Sequence, residues 1–203
     1  MFDALKQKWN RKKLTDERFA FLFDAPPENE VVVFDCETTG LDPKRDDIVS
    51  IGAVKIRENR ILVNESLHIF VKQSRQISHE SIAIHHIRHC DLNDAVPIEE
   101  AMERFLYFIG SRTLVGYFLE FDLAMINKYI KPMIGITLPN RREELSAIYY
   151  DRKIPMIPQG NIDLRFNTII KDLSLPELQA HDALNDAVMT AMAYLKLTQK
   201  HYT

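Results

Sequence analysis

Apolar and polar positions follow one another along the chain in blocks that change period several times, and each change predicts an element. Val31-Val32-Val33-Phe34 is a continuous apolar run, closed by the turn chemistry of Thr38-Thr39-Gly40. Such a run predicts a strand covered on both faces at the centre of a sheet. Ile48 to Ile56 and Ile61 to Val71 predict two more strands joined at Arg57-Glu58-Asn59-Arg60, so that strands one to three form an antiparallel meander. From Pro97 the period becomes helical: Ile98, Ala101, Met102, Phe105, Leu106 and Ile109 share one face, and Gly110 closes the helix. Thr113 to Tyr117 predicts a short strand, and Phe121, Met125, Ile126, Tyr129 and Ile130 mark the helix after it. Asn140 to about Arg152 is charged and reads as helix or loop, and 154–160 reads as irregular. Phe166, Ile169, Ile170 and Leu173 mark another amphipathic helix, and Leu184, Val188, Ala191 and Leu195 give the core face of a long last one.

Ahead of the first strand, Phe2, Leu5 and Trp9 lie on one helical stripe, with Phe19, Leu22 and Phe23 further on. Asp24-Ala25-Pro26-Pro27-Glu28-Asn29 ends any helix and makes a linker. The pattern divides the chain into an arm and linker over 1–30 and a main domain over 31–199, and the main domain is expected to fold without the arm. An arm of this kind packs its aromatics on the domain; its alternative use is a basic handle for nucleic acid or a protein partner.

Composition narrows the class without naming the chemistry. The 203 residues are 46% apolar and 27% charged, enough for one good core. No apolar run approaches the length of a membrane span and no secretory leader is visible, so a cytoplasmic protein without a membrane partner is expected. Cys36 and Cys90 give no disulfide framework and read as small buried hydrophobes. The net charge is −3. Residues 1–20 hold six bases (Lys6, Lys8, Arg11, Lys12, Lys13, Arg18) against three acids (Asp3, Asp16, Glu17), so the rest of the chain carries −6. An acidic body suits a site that recruits cations better than a broad phosphate-binding face.

The acids then supply the candidate chemistry. Asp35 and Glu37 follow the first apolar run one residue apart, and a strand turns both to the same side. Like charges held that close repel unless something positive lies between them, and oxygen donors alone favour magnesium or manganese over zinc. Asp122 falls in the first turn of a helix above a strand end, a place that also suits the helix dipole. Asp186 falls in the first turns of the last helix, with His181 just before it. Five residues along a helix is about 140° of net rotation, so His181 must lie on the preceding loop to face the same site as Asp186. Four carboxylates can hold two divalent ions, the clamp used in phosphoryl transfer, and a loop histidine beside them can take a proton from the attacking water. Two other chemistries fit less well. His85, His89 and Cys90 have no second cluster to complete a zinc site. A phosphatase with an aspartyl nucleophile wants Asp-x-Asp, where this chain has Glu37.

Phe34-Asp35-Cys36-Glu37-Thr38-Thr39-Gly40-Leu41, Phe121-Asp122-Leu123 and His181-Asp182-Ala183-Leu184-Asn185-Asp186-Ala187 resemble the three motifs of the DEDDh 3′–5′ exonucleases, the family of the epsilon proofreading subunit of bacterial DNA polymerase III. The resemblance implies an α/β fold of the ribonuclease H-like kind, a mixed five-stranded sheet flanked by helices. It implies two-metal removal of nucleotides from 3′ ends, with single-stranded DNA as the expected partner. By position, Asp35, Glu37, Asp122 and Asp186 would bind two Mg2+ or Mn2+ ions and His181 would be the base. Thr38 and Leu41 would line the terminal nucleotide, and Glu80 and His85 match positions that contact it. An exoribonuclease or oligonucleotide-degrading enzyme of the same family stays open, as does a module that holds ends without cleaving them, although such a module would be expected to have lost a ligand or the histidine. The chain departs from the family at Tyr117-Phe118, where His-Asn is usual, and at His86, where glycine is frequent. No counterpart of the subunit's polymerase-binding tail is expected after the third motif.

Overall fold

The structure is a computed structural model that describes residues 2–72, 87, 94–155 and 161–199, with side chains from residue 7 onward. Strands β1 (Glu30–Thr38), β2 (Ile48–Arg57), β3 (Arg60–Phe70), β4 (Thr113–Gly116) and β5 (Arg142–Glu144) form one sheet in the order β3-β2-β1-β4-β5. The expected meander is present, since β1 pairs antiparallel with β2 and β2 with β3. β4 joins the other edge of β1 in parallel, and β5 follows it in parallel. The mixed five-stranded sheet is flanked by α2 (Ile98–Ile109), α3 (Leu119–Ile134), α4 (Leu145–Lys153), α5 (Phe166–Asp172) and α6 (Ala183–Thr198); α1 (Phe2–Lys13) and a 3₁₀ turn (Glu17–Phe23) precede it. No helix among the described residues is long and apolar enough to cross a membrane.

The central strand is apolar on both sides because both sides are covered. Val32, Phe34 and Cys36 enter the larger core with Met102 and Phe105 of α2 and Leu123 and Ile126 of α3. Val33 points the other way, into a smaller core with Val54, Ile56, Val115 and Ala191 of α6. The two-residue period of the strand therefore puts Asp35 and Glu37 on the α6 side, just beyond the apolar run.

The chain between Asn140 and Arg152, read as helix or loop, holds the helix α4 and, ahead of it, the strand β5, which that reading did not include. β5 is three polar residues, Arg142-Glu143-Glu144, at the edge of the sheet, too short for any alternation to register. Expected positions Glu80 and His85, with His86, His89 and Cys90, lie outside the described residues.

Packing runs across the predicted arm boundary. Leu14, Phe19 and Leu22 belong to the same core as Phe34 and Phe105. Phe21 stacks on Tyr107 of α2, ring centroids 5.4 Å apart. The Thr15 amide donates to the Ile134 carbonyl at 3.0 Å, where Gly135 closes α3 with φ 80°. A side chain at Gly135 would be strained by that φ and would meet the Lys13 carbonyl oxygen at 2.6 Å. Trp9 behaves differently from Phe19: it is 60% exposed, with the Lys13 ammonium 3.2 Å from its ring centroid.

Candidate active site

Three segments bring the acids of the three motifs to one end of the sheet. β1 delivers Asp35 and Glu37. α3 brings Asp122, buried, whose Oδ1 accepts the Cys36 amide at 3.2 Å and is thereby fixed against β1 between the first two acids. α6 brings Asp186. Its start is set by Asp182, whose Oδ1 accepts the Asn185 amide at 2.9 Å as an N-cap.

His181 lies on the loop immediately before that cap, as its spacing from Asp186 requires. Its backbone is left-handed, φ 62°, a conformation histidine tolerates better than most residues, and its amide donates to Asp186 Oδ2 at 3.1 Å. One ligand-type atom each from Glu37, His181 and Asp186 lies within 4.8 Å of the other two. Asp35, His181 and Asp186 line one cleft of about 550 Å³. Of the positions expected to contact substrate, Thr38 ends β1 and donates its hydroxyl to the Gly40 carbonyl at 2.7 Å, and Leu41 on the turn that follows is 86% exposed.

Burial and mutual repulsion raise the proton affinity of the whole cluster. Burial, then the charges of Asp122, Asp186 and Glu37, hold the Asp35 carboxyl well above the usual carboxylate range. Asp122 is raised well above that range as well, chiefly by burial and against the pull of the Cys36 amide. Burial, with Asp186 and Asp182 nearby, pushes Glu37 up to about 7. Asp186 is raised to about 6 by burial, opposed by the His181 amide. Among the described residues, no lysine or arginine forms an ion pair with any of the four. Two buried carboxylates, Glu37 and Asp122, beside two half-buried ones, Asp35 and Asp186, that line the cleft, with no lysine or arginine paired to them among the described residues, are a donor set that fits hard divalent cations. Cys36 sits among them with its thiol buried and pushed well above its usual pKa, an inert packing residue.

Two residues that shape the site gave no functional signal in the sequence. Gly52 pairs with Asp35 across β1 and β2, and a Cβ there would fall 2.1 Å from the carbonyl carbon of Ala183. The first turn of α6 thus rests on bare backbone, and a glycine inside a strand is the sequence mark of such an approach. Glu144 of β5 accepts the amides of Phe118 (3.1 Å) and Leu119 (2.8 Å), and also the Ser146 amide (3.1 Å) and hydroxyl (2.9 Å). One carboxylate therefore closes the starts of both α3 and α4, which serves α3 because Phe118 at its head has no side-chain cap to offer.

Comparison with known proteins agrees with this geometry. The Exonuclease family (RNase_T) matches residues 32–194. The chain is 32% identical over 178 residues to the PolC-type DNA polymerase III of Thermotoga petrophila, a match covering 87% of this chain and 12% of that protein. It is 27% identical over 170 residues to the DNA polymerase III epsilon subunit of Aquifex aeolicus, covering 83% of this chain and 80% of the subunit. The chain thus spans only about an eighth of the PolC-type relatives it matches. In structure it is similar to E. coli exonuclease I in complex with a dA16 oligonucleotide, with a TM-score of 0.70 at 16% identity, over 86% of this chain and 42% of that one. Motifs, sheet order and family match converge on one statement: the chain belongs to the exonuclease family, with the DEDDh arrangement shared by DNA polymerase III epsilon subunits.

Proposed function

We propose that the protein is a metal-dependent 3′–5′ exonuclease that removes single nucleotides from the 3′ ends of DNA. The observation that carries this reading is the convergence of Glu37, His181 and Asp186 within 4.8 Å beside Asp35, without an ion-paired counter-cation among the described residues. Asp35, Glu37, Asp122 and Asp186 would hold two magnesium or manganese ions, which supply neutralisation of phosphate charge and a more acidic attacking water.

The remaining work falls to the chain itself. His181 is exposed on its loop and accepts the proton of the water that attacks the terminal phosphodiester. The new P–O bond forms as the bond to the upstream 3′ oxygen breaks, so a nucleoside 5′-monophosphate leaves and the strand keeps a 3′ hydroxyl. Thr38 and Leu41 at the end of β1 contact the terminal nucleotide; Glu80 and His85, expected from the resemblance to contact it too, lie outside the described residues. All four carboxylates and the histidine are present, which favours cleavage over simple holding of ends.

A strand labelled at its 5′ terminus tests both chemistry and direction, offered as DNA and RNA of one sequence and as a mismatched duplex end. With magnesium or manganese the expected product is a ladder that shortens one nucleotide at a time while the label stays on the strand. Early release of the labelled nucleotide, or equal cleavage in chelator, contradicts the reading; faster loss of RNA than DNA would change the substrate and leave the mechanism in place.

A further inference from the structure

The loop 39–47, between β1 and β2, is fastened at both levels, within itself and to a helix. Inside it, the Thr39 amide donates to the Asp47 carbonyl at 2.9 Å, and the Asp47 amide donates to the Thr39 hydroxyl at 3.0 Å. The Asp46 carboxylate accepts the Asp42 amide at 2.8 Å. At its base the loop is held to the middle of α3. Asp47 Oδ1 accepts both the Lys128 ammonium, at 2.8 Å, and the Tyr129 hydroxyl, at 2.7 Å, and Lys128 also donates to the Asp46 carbonyl at 2.7 Å. The same ammonium lies 5.2 Å from the centre of the Tyr129 ring. Both charges are partly withdrawn from water, so these charge-assisted bonds hold more tightly than an open surface pair. Yet Leu41, which this loop carries, is left almost fully exposed. A loop fixed for stability alone would bury its leucine; this one presents it.

Resting on the exonuclease reading above, we infer that Lys128, Tyr129 and Asp47 are positioning residues, a latch between α3 and the loop that fixes Leu41 relative to the carboxylates and so sets the register of the terminal nucleotide. Lys128 and Tyr129 stand within two turns of Asp122 on one helix. One rigid element therefore carries both an acid of the site and the anchor of the loop. Leu41 has no packing of its own to hold it, so its place depends on that anchor. A shift of about an ångström in the nucleotide it contacts is enough to cost a large part of the rate.

The test uses Lys128→Met, Tyr129→Phe, the conservative Lys128→Arg, and Leu41→Ala alone and combined with Lys128→Met, all in the full chain. The first readout is calorimetric affinity for thymidine 5′-monophosphate in saturating Mn2+. Lys128→Met and Leu41→Ala are each expected to weaken it about tenfold and Tyr129→Phe about threefold, with Lys128→Arg close to the parent and the double variant no weaker than the weaker single, since residues acting through one contact are not additive. The second readout is kcat and KM on dT12: kcat is expected to fall about tenfold in Lys128→Met while KM changes little, because the rest of the strand still binds. The third is the number of Mn2+ ions bound, expected to equal the parent's. Additive losses in the double variant, Leu41→Ala binding like the parent, or Mn2+ lost together with the nucleotide overturns the latch, the last because the contacts would then serve Asp122 and the seating of α3. Parental affinity and kcat in both Lys128→Met and Tyr129→Phe overturn it too. If Lys128→Met does not fold, Tyr129→Phe, which removes only a hydroxyl, takes its place in the cycle. Should the parent fail to cleave dT12 while the nucleotide losses remain non-additive, the latch stands and the exonuclease reading fails.

Discussion

Gly52 of β2 lies so close to Ala183 at the head of α6 that a Cβ on the glycine would sit 2.1 Å from the alanine's carbonyl carbon. Gly52 is also the register partner of Asp35, so this contact sets the distance between the acids of β1 and those of α6. Gly52→Ala must push backbone from backbone, with no flexible side chain to give way. The expected result is a folded protein with a lower Tm and kcat reduced by on the order of 100-fold, because an ångström of misplacement is enough for such a loss. Circular dichroism and steady-state rates on one oligonucleotide check it; parental kcat would mean that α6 is seated by other contacts.

Glu37 gives a pH dependence whose sign is fixed. Its carboxyl is raised from 4.5 to about 7 in the folded chain, so between those values the folded state binds the proton more tightly than the unfolded state. Stability of the metal-free protein therefore falls as pH rises from about 4.5 to about 7, by as much as about 3 kcal/mol. Glu37→Gln should make that fall shallower, the remainder coming from Asp35, Asp122 and Asp186, which are raised as well, and should leave the variant more stable than the parent at pH 8 in chelator. Magnesium or manganese should stabilise the parent at pH 8 and the variant much less. Denaturant midpoints across pH, with and without metal, carry the comparison; a parental stability that rises over this pH range contradicts the account.

His181 is exposed, and its amide already contacts Asp186. His181→Ala keeps a backbone amide there and removes only the ring. The variant is expected to lose two to four orders of magnitude in kcat, the usual range for a missing general base, with little change in manganese affinity. A parallel loss of manganese binding would make His181 a ligand, which its place within 4.8 Å of Glu37 and Asp186 would permit.

The arm carries a stability prediction. Phe19 is fully buried in the core that holds Phe34 and Phe105. Phe19→Ala should cost about 3–5 kcal/mol and lower Tm by roughly 10 °C. A chain starting at residue 30 also loses Leu14 and Leu22 and should be less stable still. Trp9→Ala, exposed beside Lys13, should shift Tm by little. Thermal melts of the three proteins separate an arm that is part of the core from one that is a detachable handle.

Legibility followed physical scale. β1 and α2 were readable because burial on two faces, or on one helical stripe, writes a period into the sequence, and the acids were readable because they stand where such periods end. β5 was not, since three polar residues at an edge have no period and owe their place to β4 beside them. The arm's linker was visible at Pro26-Pro27, but that Phe19 packs across it is a tertiary fact with no local signature. Gly52 and Glu144 act through contacts with Ala183 and with the starts of two helices, and nothing in their neighbouring residues announces those partners.

The central claim is that the carboxylates of β1, α3 and α6 form one divalent-cation site, and counting bound manganese tests it most directly. Titration of free Mn2+ by electron paramagnetic resonance, at pH 8 in the presence of a nucleoside 5′-monophosphate, should give two saturable ions per parental chain. Asp35→Asn and Asp186→Asn should each lose at least one of them while remaining folded. Equal manganese binding by the parent and both variants, or none by any of them, would contradict the account.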